Sequence, residues 1–175
     1  GDRFVIDAAS GVLSLRDAPD HEAPADANAD NLYDVTVQVS DGSLSDSLAL
    51  SVSVANVNEA PRISGGGPTT AVTVAENTLA GTTLSTLSAT DVDAGATLRW
   101  SIIGGADGDH FAIDAVTGAL SLRIAPDHEA PVDANADNRY DVQVQVSDGA
   151  LSDSQSLVIS VANVNEAPVL VVNRL

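Results

Sequence analysis

The chain has 175 residues, 44% of them apolar, no cysteine or methionine, and a formal net charge of −18. That apolar share supports a packed core and excludes a disordered acidic tail. The lack of cysteine excludes disulfide scaffolds, cysteine zinc sites and thiol catalysis, and no apolar run approaches a membrane span. All seven basic residues are Arg, set against 20 Asp and 5 Glu. The sign of the charge excludes nucleic acid and anionic bilayers as partners, and no membrane insertion is expected. The N-terminus carries no signal-peptide pattern.

An internal repeat sets the organisation. Residues 1–61 align with residues 108–168 at a constant offset of 107, without a gap, and 47 positions are identical. The chain therefore reads as a piece of a tandem array. Residues 1–61 form the C-terminal part of one repeat, 62–168 a complete repeat, and 169–175 the start of the next. In chain order, strands are expected in the complete repeat at 70–75, 83–89, 97–103, 111–114 and 119–123. Tyr140, Val142, Val144 and Val146 then alternate with polar residues, as do Leu157, Ile159 and Val161, which is the period of a half-buried strand. Gly104-Gly105, Thr117-Gly118 and Asp148-Gly149 mark turns between them. No segment shows a helical stripe. About seven short strands in a hundred residues predict an all-β Greek-key β-sandwich, with Trp100, Phe111 and Tyr140 as the bulky core anchors.

The carboxylates cluster outside these strands. Pro19-Asp20-His21-Glu22 recurs as Pro126-Asp127-His128-Glu129. The loop Asp26-x-Asn28-x-Asp30 recurs as Asp133-x-Asn135-x-Asp137. Ala75-Glu76-Asn77 and Asp91-Val92-Asp93 occur in the complete repeat, and the linker Asn56 to Pro61 recurs as Asn163 to Pro168. Hard cations such as calcium take six to eight oxygens from carboxylates, amides and carbonyls. The Asp26–Asp30 spacing puts oxygens on alternate residues of a tight loop, yet it lacks the glycine and final glutamate of an EF-hand. Read from its residues alone, it is either a local ion loop or a turn closed by Asx hydrogen bonds.

In this order the clusters resemble the cadherin repeat, whose x-E-N, A-x-D-x-D, L-D-R-E and D-x-N-D-N-A-P motifs build calcium sites between successive domains. The matching runs here are Ala75-Glu76-Asn77, Ala89 to Asp93, Pro19 to Glu22 and Asn56 to Pro61, with Val39 to Ser45 similar to the family's F–G turn. The linker is one residue shorter than the family's, Asn56 stands where Asp is usual, and residues 23–31 look inserted. These departures and the all-Arg composition make the chain similar to the cadherin-like repeats of large bacterial surface and biofilm adhesins, the RTX-type extender modules.

The resemblance implies tandem cadherin-like sandwiches, calcium as the bound ion and an extracellular, bacterial cell-surface location. It implies a junction that collects Asp20 and Glu22 with Asn58, Glu59, Glu76, Asp91 and Asp93. A second, incomplete set is expected at Asp127 and Glu129, with further ligands from Asp26, Asn28, Asp30 and their counterparts Asp133, Asn135 and Asp137. The implied function is mechanical: calcium bridges neighbouring repeats of the same chain and stiffens an adhesin's extender. A binding module, for polysaccharide or for homophilic cell-cell contact, is the alternative. Catalysis is not expected. His21 and His128 sit in polar loops, His110 opens a strand, and no catalytic fingerprint accompanies the carboxylates. Because residues 1–61 contain no counterpart of 62–107, their sheet edges are expected to be open, which predicts a strand-exchanged homodimer.

Overall fold

Alternating Val and polar residues become stable strands where a second layer covers the apolar face, and here two stretches of closely related sequence meet that condition to different degrees. The computed structural model describes residues 3–65, 69–168 and 170. The expected opening of a further repeat at 169–175 lies outside the described residues apart from Leu170. The chain divides into two units, Gly1–Asn58 and Glu59–Leu175. The division falls within the linker, and Glu59 N–H donates to Asp93 Oδ2 at 2.8 Å, which ties it to the second unit.

The first unit contains β1 (Phe4–Ile6), β2 (Leu13–Leu15), β3 (Leu32–Ser40) and β4 (Ser45–Ser53). β1 pairs with β2 and β3 with β4, both antiparallel. Tyr33 is the buried large side chain among its described residues.

The second unit contains β5 (Arg62–Ile63), β6 (Thr69–Ala75), β7 (Thr83–Thr86), β8 (Ala89–Thr90) and β9 (Arg99–Gly104). A single 3-10 turn at Gly108–His110 precedes β10 (Phe111–Ile113), β11 (Ala119–Leu122), β12 (Arg139–Ser147) and β13 (Ser152–Ala162). The expected strand at 83–89 is two strands, because the chain changes partner: Leu87 N–H still donates to Gly118 O at 3.0 Å beside β11, whereas Ser88 O accepts from Ser64 N–H at 2.8 Å and Ala89 pairs with Ile63 of β5. One sheet has the order β6-β13-β12-β9 and the other β10-β11-β7, with β5-β8 as a short pair. β12 and β13 are antiparallel, whereas β13 and β6 are parallel from Ser156↔Thr69 to Ala162↔Ala75. Non-sequential neighbours of this kind match the Greek-key sandwich expected from the pattern.

The core lies between the two larger sheets. Val142, Val144 and Val146 of β12 and Leu157, Ile159 and Val161 of β13 meet Phe111, Leu120 and Leu122 from the facing sheet. Trp100 is buried here as a packing anchor. Its ring lies against Gly118, where φ is +70° and a Cβ would stand 2.9 Å from the indole nitrogen and 2.7 Å from Leu87 O; glycine meets both demands. Tyr140 stacks edge-on with Phe111 and His110 at centroid distances of 5.9 and 5.7 Å, so His110 packs as a structural residue.

This topology gives the second unit two poles. The ends of β6 and β13 and the start of β12 share one, and the start of β13 and the end of β12 share the other. An eleven-residue strand such as β13 separates them by about 35 Å at the usual rise per residue.

Candidate calcium centre

At the pole where β6 and β13 end, Glu76 follows β6 directly and is 3% exposed. Its Oε1 accepts from Val164 N–H at 2.6 Å and its Oε2 from His128 N–H at 2.8 Å. Those two backbone bonds, Val164 first, hold its carboxyl below the ordinary value of 4.5. One oxygen from each of Glu76, Asp127 and Glu129 lies within 4.8 Å of the others. The neighbouring chain is tied to the same point. Asn77 N–H donates to Pro126 O at 2.8 Å, Asn77 Nδ2 to Glu166 Oε1 at 2.8 Å, and Asn163 Nδ2 to Glu129 Oε1. Three carboxylates converging against fixed backbone form a ready seat for a hard divalent cation.

This geometry corrects the grouping of Glu76 with Asp91 and Asp93. β6 runs parallel to β13, so the residue after β6 lies beside the end of β13 and shares the pole of Asp127 and Glu129. Asp127 Oδ1 accepts from Glu129 N–H and Ala130 N–H at 3.0 and 2.9 Å, which closes the turn around His128.

At the opposite pole, Asp91 Oδ1 accepts from Asp93 N–H at 3.0 Å. Asp91 Oδ2 is buried without a hydrogen-bond partner. A buried carboxylate oxygen with no donor is costly in water-free surroundings, and a cation is the partner that suits it. Glu59 shares this pole through its bond to Asp93. Ile63 N–H donates to Asp153 Oδ2 at 2.9 Å, which pins the incoming chain to β13.

In the first unit, Asp20 Oδ1 accepts from Glu22 N–H and Ala23 N–H at 3.0 and 3.1 Å. His21 Nδ1 lies 3.0 Å from Glu22 Oε1. Asn58 is the last residue of that unit.

The Asp-x-Asn-x-Asp loops are closed by their own carboxylates, and no group of three converging carboxylates among the described residues lies in them. Asp133 Oδ2 accepts from Asp137 N–H at 2.8 Å and its Oδ1 from Asn138 N–H at 3.2 Å. Asp137 accepts from Arg139 N–H at 2.9 Å and from Asn135 Nδ2 at 3.0 Å. In the first unit Asp26 binds Asp30 N–H and Asn31 N–H at 2.9 and 3.3 Å, and Asp30 accepts from Asn28 Nδ2 at 2.7 Å. Of the two readings left open by the sequence, this is the geometry of the Asx-closed turn.

Sequence reasoning missed Asn77, Asn163 and Glu166, although the recurrence of Asn56 and Glu59 at the 107-residue offset pointed to the last two. It also missed Asp107, which is 3% exposed. No motif marks Asp107, and its counterpart at the repeat offset falls outside the sequence.

Residues 70–162, more than half of the chain, match the cadherin domain family. Human Protocadherin-23 is 30% identical over 170 residues, 94% of this chain and 5% of the relative. Drosophila melanogaster Protein dachsous is 30% identical over 169 residues, 84% of this chain and 5% of the relative. The chain thus spans about a twentieth of these curated relatives. Among solved structures, mouse Cadherin-23 EC22-24 is similar with a TM-score of 0.63 at 24% identity, covering 93% of this chain and 50% of that one. Human Protocadherin-24 EC1-2 gives a TM-score of 0.66 at 21% identity, covering 95% and 78%. At these identities the structures speak for the fold.

Proposed function

Because the chain belongs to the cadherin domain family, a family of extracellular adhesion modules, we propose that it is a calcium-rigidified extender repeat of a cell-surface adhesin. The observation that carries the reading is the convergence of Glu76, Asp127 and Glu129, with oxygens held in place by Val164 and His128 N–H groups. The buried, unpartnered Asp91 Oδ2 supports it at the other pole.

In this reading Glu76, Asp127 and Glu129 bind one calcium set at the end of the second unit. Asp91, Asp93 and Glu59 offer the oxygens for another at its opposite pole. Calcium supplies divalent charge that neutralises carboxylates which otherwise repel one another. The protein's part is to fix the oxygens, so that ion binding orders the linker rather than the sandwich. With each linker ordered, a flexible string of repeats becomes a stiff spacer. The bacterial, biofilm-forming setting is proposed from the Asn-Val-Asn-Glu-Ala-Pro linker and the all-Arg composition; the curated relatives are animal cadherins.

Calorimetric unfolding in excess chelator, in millimolar calcium and in millimolar magnesium tests the reading. Extracellular calcium modules bind with dissociation constants of roughly 0.1–1 mM. Calcium at 10 mM should then add about 2 kcal/mol of stability per bound ion, seen as a midpoint several degrees higher that magnesium does not reproduce. The paired substitution Asp91→Asn and Asp93→Asn should remove part of the shift. If calcium leaves the midpoint unchanged, the extender reading fails and a binding module takes its place.

A further inference from the structure

The turn that carries Asp127 and Glu129 lies in irregular chain between β11 and β12, from Arg123 to Asn138. An irregular segment of this length has conformational freedom that an ion must remove on binding, unless the fold has removed it already. His128 is the middle residue of the turn, so the orientation of its two peptide groups aims both flanking carboxylates. Its N–H donates to Glu76 Oε2 at 2.8 Å, and its C=O accepts from Asn138 Nδ2 at 2.9 Å.

Asn138 is itself held. Its φ is +63°, and its N–H is taken by Asp133. Asp107 then fastens the loop to the sandwich: Oδ1 accepts from Ala134 N–H at 2.7 Å and Oδ2 from Asp141 N–H at 2.8 Å. Gly105, with φ +93°, lets the segment after β9 pass so close to Asp141 O and Val142 that no side chain would fit, and this brings Asp107 beneath β12. The same clasp recurs in the first unit, where Asn31 has φ +65° and its Nδ2 donates to His21 O at 3.0 Å. In both units the asparagine Oδ1 is buried without a partner, so it is the donor end of the amide that is engaged.

We propose that Asn138 is a positioning residue, anchored through Asp133 and Asp107, that pre-forms the Asp127–Glu129 turn for its cation, and that Asn31 does the same for Asp20 and Glu22. The inserted Asp-x-Asn-x-Asp loop is then a clasp on the ion site instead of an ion site of its own. This rests on the calcium reading above and adds residues to it that touch no ion.

The test uses the whole chain and calcium titrated by isothermal calorimetry, with Glu129→Gln marking the part of the isotherm that belongs to this pole. In Asn138→Gly the glycine adopts the same positive φ while the amide donor is lost. Loss of one such bond should weaken calcium binding about fivefold, while the unfolding midpoint in chelator stays within a few degrees of the wild type. Asp107→Asn, which keeps shape but replaces an acceptor oxygen with a donor, should weaken calcium in the same direction even if Asn138→Gly folds poorly. Unchanged affinity in both variants overturns the clasp. A wild-type chain that binds no calcium overturns the calcium reading, and the clasp with it.

Discussion

Asp114 shows how much a single carboxylate organises in this chain. Its Oδ1 accepts from Thr117 N–H, Val116 N–H and Thr117 Oγ1 at 2.7, 2.9 and 2.9 Å, closing the turn between β10 and β11. The Thr117 backbone bond, then that of Val116, holds the carboxyl below its ordinary value of 3.8. A depressed pKa means stability that is present above the unfolded value and lost as pH falls through the folded one. Asp114→Ala should therefore lower the unfolding midpoint at neutral pH, and the gap from wild type should narrow below about pH 3.8. A pH titration of the two midpoints in chelator checks this, and a constant gap would count against it. Asp7 plays the same part in the first unit through Ser10. The Asp114 turn was legible in the sequence through Thr117-Gly118, a local signal. Asp107 was not, because its two partners lie 27 and 34 residues away.

At the scale of elements, one pair of valines separates propensity from burial. Val39 in β3 and Val146 in β12 occupy equivalent positions in nearly identical sequence, yet Val39 is 71% exposed and Val146 0%. β12 lies between β13 and β9 with a second sheet across the core, whereas β3 pairs with β4 alone among the described residues. Removing two buried carbons costs about 2 kcal/mol once the cavity is included. Val146→Ala should destabilise the second unit by about that much in urea unfolding, while Val39→Ala should change little. Equal effects would mean that Val39 is covered in solution. The edges of β3 and β4 bear on the same point. Open, apolar-faced strands of this kind invite pairing with another chain, so light scattering on the concentrated chain is expected to report a dimer. A monomer in which residues 3–58 resist hydrogen exchange would speak against strand exchange.

At the scale of the molecule, charge and repeat act together. A chain of net charge −18 concentrates its negative groups in the turns and linkers, where the sandwich leaves backbone donors and a cation can reach them. Among the described residues no helix is long and apolar enough to cross a membrane. The sequence by itself determined the all-β class, the 107-residue period, most strand positions in the complete repeat and the identity of the acidic motifs. Period-2 alternation, turn residues and repetition are all local or copied patterns, which the sequence carries openly. Tertiary structure decided which carboxylates meet. The parallel pairing of β6 with β13 moved Glu76 to the pole of Asp127 and Glu129, and no local rule specifies a parallel neighbour 87 residues distant. It also decided that the Asp133 loop closes on itself as an Asx turn, with the carboxylate of Asp133 accepting from the N–H groups of Asp137 and Asn138. Spacing records what a chain can offer a ligand, and folding settles which of those atoms converge.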